Sequence, residues 1–85
     1  MDKLTFEDAV RWRLRRLYRT KRYTMNEFTK YVGIPYSTLN SFMNKKSKGI
    51  NLINLHKMCN GLDISMKDFF DHKVFDNLLE DDDKN

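Results

Sequence analysis

Apolar positions along the chain recur at helical spacing. Phe6, Val10, Leu14 and Leu17 lie four, four and three residues apart, which predicts one buried face of a first helix. Thr5 precedes it as a cap, with Asp8 three residues on in a capping-box arrangement. A second short helix is predicted from Thr24, with Glu27 completing another capping box, Phe28 and Val32 as its buried edge, and Gly33 as its stop. Pro35 then holds Ile34 out of helical geometry, so Gly33, Ile34 and Pro35 form a tight turn.

A third helix follows from about Tyr36 to Asn44. Leu39, Phe42 and Met43 point one way, while Ser37, Asn40, Ser41 and Asn44 fall at i, i+3, i+4 and i+7 on the other. Asn51 caps a fourth helix running to about Asn60, with Leu52, Leu55 and Cys59 facing inward and Gly61 ending it. Ser65 with Asp68 opens a fifth. Val74, Phe75 and Leu78 suggest a final helix from about Phe69 to Leu79, followed by an acidic tail, Glu80 to Asn85, expected to be disordered.

Composition narrows the class. Eighty-five residues allow one domain, and a hydrophobic content of 40% with three glycines and one proline is that of a compact, helical, soluble module. The expected division is a main domain over residues 1–71 and a short C-terminal segment over 72–85. A single cysteine, Cys59, excludes a disulfide framework and a zinc cluster, and it is expected to be a small buried apolar residue. His56 and His72 have no metal-ligand partners at suitable spacing, and no cofactor is expected. No nucleophile-and-base pair or phosphate-cradling loop is present, so the reading is not an enzyme. No signal-peptide or membrane-span pattern appears, and the expected setting is the cytoplasm.

Charge is unevenly spread. Residues 9–50 hold eleven basic residues and one acidic residue, a net +10, whereas residues 51–85 sum to −4. A field of that sign suits a polyanion, either nucleic acid or a membrane surface. Arg11, Arg15 and Arg19 repeat every four residues, with Arg22 in line beyond, and like charges at that spacing call for something anionic opposite them: DNA backbone or the acidic tail. The neutral amide-and-hydroxyl stripe of the third helix suits reading base edges. Lys45, Lys46 and Lys48 continue directly from it and suit phosphates.

The stretch from Thr24 to Phe42 resembles the helix-turn-helix of the Cro/phage-repressor family, the XRE-like bacterial and phage regulators. Phe28, Val32, Ile34, Leu39 and Phe42 match its buried positions, Gly33 its turn glycine, and Leu52, Leu55, Leu62, Ile64, Phe69 and Phe70 its following helices. The resemblance spans about residues 6–70. It implies an all-α, lambda-repressor-like bundle of about five helices with the third in the DNA major groove. Tyr36, Ser37, Thr38, Asn40 and Ser41 would then face base edges, and Met25, Asn26, Asn44, Lys45, Lys46 and Lys48 would lie near phosphates. Two positions depart from the family's pattern: Met25 stands where many members have glutamine, and Thr29 where many have alanine. The function implied is a double-stranded DNA-binding regulator, most simply a repressor acting by operator occupancy.

The other reading is an antitoxin-like module that binds a partner protein through its C-terminal segment. Val74, Phe75, Leu78 and Leu79 are more apolar than a solvated tail needs. They either pair two copies of the chain or fold back on Trp12 to complete the monomer core.

Overall fold

The computed structural model describes residues 3–79. Five α-helices run in order: α1 (Phe6–Thr20), α2 (Met25–Val32), α3 (Tyr36–Met43), α4 (Leu52–Gly61) and α5 (Met66–Phe70). A 3-10 turn at Lys73–Phe75 follows.

Side-chain oxygens start four of these helices. Thr5, Thr24, Asn51 and Ser65 each accept a hydrogen bond from the backbone N–H three residues on, satisfying a donor that the helix leaves unpaired. The reciprocal bond of a capping box forms at α2, where Glu27 accepts from the Thr24 N–H at 2.9 Å. At α1 the Asp8 carboxylate turns instead to the Arg11 guanidinium at 2.7 Å, so the capping box expected there is only half made.

The helix ends differ from expectation in an instructive way. Gly33 is left-handed at φ 81°, as a helix stop should be. Gly61 is not the stop. It is the last residue of α4, and a Cβ there would overlap Cγ1 of Val32, so its task is to let α2 and α4 approach closely. The left-handed residue after α4 is Asp63 (φ 61°), and Arg22 and Lys45 hold the same conformation after α1 and α3. Each of the three sits in a pair of hydrogen bonds running back to the last helical turn, for instance Lys45 N–H to the Phe42 carbonyl at 3.1 Å and Lys46 N–H to the Ser41 carbonyl at 2.8 Å. Those bonds offset the roughly 1–2 kcal/mol that a residue bearing a Cβ loses in this region. Tyr23 and Ile64, which follow Arg22 and Asp63, add a contact with the core.

The core gathers Val10, Leu14 and Tyr18 from α1, Phe28 from α2, Leu39, Phe42 and Met43 from α3, Leu55, Met58 and Cys59 from α4, and Phe69 from α5. Two residues expected inside are exposed: Phe6 at 49% and Leu52 at 70%. Both occupy the first turn of their helices, where the correct face extends past the edge of the core. Ala9 and Tyr18 of α1 take the buried places instead. Cys59 is buried as expected, and burial pushes its thiol pKa up, away from reactivity.

The C-terminal segment departs most from expectation. No continuous helix spans Phe69 to Leu79, because α5 ends at Phe70 and His72 is extended. The chain turns back so that the Phe75 ring meets those of Phe70, Phe6 and Phe69, with centroids 5.1, 6.1 and 6.1 Å away. Sheltering an aromatic ring, worth up to about 1.5–3 kcal/mol, offsets helical hydrogen bonds given up to solvent at about 0.5–1.5 kcal/mol each. Trp12 lies against His72 at 5.1 Å, and the Leu79 N–H donates to the Leu4 carbonyl at 2.9 Å. Phe75 is therefore used within the monomer, which removes it from the surface suggested for pairing. The acidic tail, Glu80 to Asn85, lies outside the described residues.

Candidate nucleic-acid interface

The outward face of α3 is formed as its spacing predicts. Tyr36, Ser37 and Asn44 are exposed, while Thr38, Asn40 and Ser41 are half-buried along the helix. Pro35 sets the entry, with the Thr38 N–H donating to its carbonyl at 3.1 Å. On the outer side, the Asn44 amide donates to Asn40 Oδ1 at 2.7 Å, and the Tyr36 hydroxyl reaches the same oxygen at 3.5 Å. Asn40 thus lies between neighbours one turn before and one turn after it, and its bond with Asn44 favours this orientation by about 0.2–0.5 kcal/mol.

The lysine loop is continuous with this face. Lys45, Lys46 and Lys48 are exposed, and the left-handed backbone at Lys45 turns the chain sharply off the end of the helix. Lys45 Nζ also lies 3.6 Å from Asp8 Oδ1, an exposed pair that costs little to break. Ser47 closes the loop through a 2.8 Å bond from its hydroxyl to the Gly49 carbonyl.

An arginine that charge patterning had grouped elsewhere holds this loop in place. Arg11 Nε donates to the Phe42 carbonyl at 2.6 Å, Nη2 to the Ser47 carbonyl at 3.0 Å and Nη1 to Asp8 at 2.7 Å. Its guanidinium also stands 4.6 Å from the centroid of the Phe42 ring. A cation is thereby placed at the carbonyl end of α3, where the helix dipole favours it, and the start of the basic loop is tied to α1. Arg13 does the same at α5, donating to the Phe69 carbonyl at 2.8 Å and the Asp68 carbonyl at 3.0 Å. The partner sought for the arginine face is, for Arg11, a set of carbonyls and one carboxylate inside the fold. The i,i+3 spacing of Asp8 and Arg11 was the available signal. Arg15, Arg16 and Arg19 stay exposed around Trp12, with Arg16 packed over its ring at 5.2 Å.

At α2 the two departures resolve. Met25 is half-buried and packs against the core, so its backbone, not its side chain, is available at the start of the helix. Asn26 beside it is exposed. The Thr29 hydroxyl, nearly fully buried, donates back to the carbonyls of Met25 and Asn26 at 3.0 and 3.1 Å. Those bonds satisfy the extra polar atom within the buried side of α2.

A family model described as the Cro/C1-type helix-turn-helix DNA-binding domain matches residues 13–74. The chain belongs to this family. Among solved structures the chain is similar to the crystal structure of the prophage Lp1 protein 11, with a TM-score of 0.76 and 28% identity over 88% of this chain and 99% of that one. No curated protein matches the chain in sequence. Membership makes this a DNA-binding domain of a regulator and points away from catalysis. Among the described residues no group of three His, Cys, Asp or Glu side chains could hold a metal ion, and no helix is long and apolar enough to cross a membrane.

Proposed function

We propose that this Cro/C1-type chain is a sequence-specific regulator that works by occupying an operator, most simply as a repressor, with α3 in the major groove. The observation that carries the reading is the outward stripe of α3, neutral and rich in amides and hydroxyls, running without a break into three exposed lysines. Hydrogen-bonding groups without charge discriminate base edges, and lysines neutralise phosphates regardless of sequence. Tyr36, Ser37, Thr38, Asn40 and Ser41 take the first role. Asn26, Asn44, Lys45, Lys46 and Lys48 take the second, with Met25 contributing its backbone amide at the start of α2. The site of action is then the cytoplasm, on bacterial or phage DNA.

One helix-turn-helix covers only a few base pairs, so the reading goes with two copies on half-sites about one DNA turn apart. Val74, Leu78 and Leu79 supply the pairing surface in that arrangement. Leu79 is 50% exposed, which also favours the second reading, in which an antitoxin-like chain covers a partner protein with the same segment.

Titration of duplex DNA with the full chain across a salt series tests the first reading. If each copy neutralises about four phosphates, log K falls with log salt at a slope of roughly −3 to −4 per copy. Binding that is flat between low and physiological salt removes it.

A further inference from the structure

We propose that Asn40 reads DNA as a donor only and selects guanine at the base pair it faces. The inference rests on α3 being the major-groove helix and adds which base its central amide takes. Here Asn40 Oδ1 accepts from Asn44 Nδ2 at 2.7 Å, and the Tyr36 hydroxyl stands 3.5 Å from the same oxygen. Both come from its own helix. What Asn40 still offers outward is its amino group, with two N–H donors.

An unengaged asparagine reads adenine by accepting from N6 while donating to N7. With Oδ1 already bonded to Asn44, accepting from the adenine amino group has to compete with that bond, whereas donating outward does not. Guanine presents two adjacent acceptors, N7 and O6, in the same groove. Thymine presents one acceptor, and the cytosine amino group only donates. The order that follows is guanine first, thymine second, adenine third because its N7 acceptor stands beside an amino group left without a partner, and cytosine last. The Asn44 backbone is placed for this bond: it caps α3, and its N–H donates to the Asn40 carbonyl at 2.9 Å.

Selection from a pool of duplexes with a randomised segment, using the full chain and the variants Asn40→Ala and Asn44→Ala, tests the proposal. The position where Asn40→Ala loses preference is the one that Asn40 faces. The expected result is guanine there, favoured over adenine by about twofold, the scale of the exposed i,i+4 bond that adenine would have to break, with affinity reduced by 7-deazaguanine at that position. Asn44→Ala frees Oδ1, so adenine is expected to approach guanine at that position and nowhere else. Circular dichroism establishes that both variants are folded. Adenine at that position with the wild-type chain overturns the proposal, as does a guanine preference unchanged by Asn44→Ala or a site profile unchanged by Asn40→Ala. Enrichment of no sequence by the wild-type chain overturns instead the reading of α3 as the groove helix.

Discussion

Arg11 and Arg13 on α1 and Lys45, Lys46 and Lys48 after α3 belong to the same positively charged stretch, yet the fold employs them in opposite ways. The two arginines turn inward and bond the carbonyls at the ends of α3 and α5. The three lysines stay exposed. A guanidinium has five donors in a rigid fork and gives up water more readily than an ammonium, so it can serve several carbonyls at once in a half-buried place. A lysine in the same place would satisfy fewer of them at a larger desolvation cost. The positive field of this chain therefore has two parts, one that ties α3 and α5 to α1 and one that remains exposed.

The largest effect expected from breaking this contrast is at Arg11. Arg11→Ala leaves the Phe42 and Ser47 carbonyls without their partner and should destabilise the domain by about 2–4 kcal/mol, measured by urea unfolding. A loss below about 1 kcal/mol would place Arg11 with the solvated charges.

Next come the residues proposed to contact DNA. Asn40→Ala should cost about 1–3 kcal/mol on a selected site and little on random duplex, whereas Lys46→Ala should weaken both alike. Comparative titrations distinguish the two patterns, and equal losses for Asn40→Ala on both DNAs would remove α3 as the reader.

Lys45 lies between the two parts, because its charge faces outward while its backbone is strained at φ 64°. Glycine relieves that strain, so Lys45→Gly should stabilise the fold by about 0.5–1 kcal/mol while lowering DNA affinity. Thermal unfolding and titration of the same variant would show whether the two properties move in opposite directions.

The smallest effect concerns His72, beside the arginines of α1. Its Nδ1 accepts from the Val74 N–H at 2.9 Å, which requires that nitrogen to be unprotonated. Burial, then Arg13, Lys73 and Arg16, push its pKa below the ordinary imidazole value, against an opposite pull from Asp76. The folded state thus binds this proton less readily than the unfolded one. Its contribution is complete above the ordinary value of about 6.5 and declines as the pH falls below it. The Tm difference between the wild-type chain and His72→Ala should be constant above pH 7 and shrink toward pH 5. A difference that grows on acidification would reverse the sign.

What the sequence by itself determined is local. Caps at Thr5, Thr24, Asn51 and Ser65, the Gly33 stop and the inward face of α3 were all legible, because each depends on residues within one or two turns. So was the candidate reading surface, since the stripe and the lysines are neighbours along the chain. The tertiary structure decided what periodicity does not carry. Periodicity gives the direction of a helix face but not how far the core extends along it, and so Phe6 and Leu52 are exposed while Ala9 and Tyr18 are buried. Arg11 meets carbonyls 31 and 36 residues away, and Arg13 meets those 55 and 56 away. Gly61 is required by Val32 of another helix rather than by its own. Phe75 joins an aromatic cluster that exists only once α1 and α5 are side by side. These choices depend on which surfaces meet, and a linear pattern records only the surfaces.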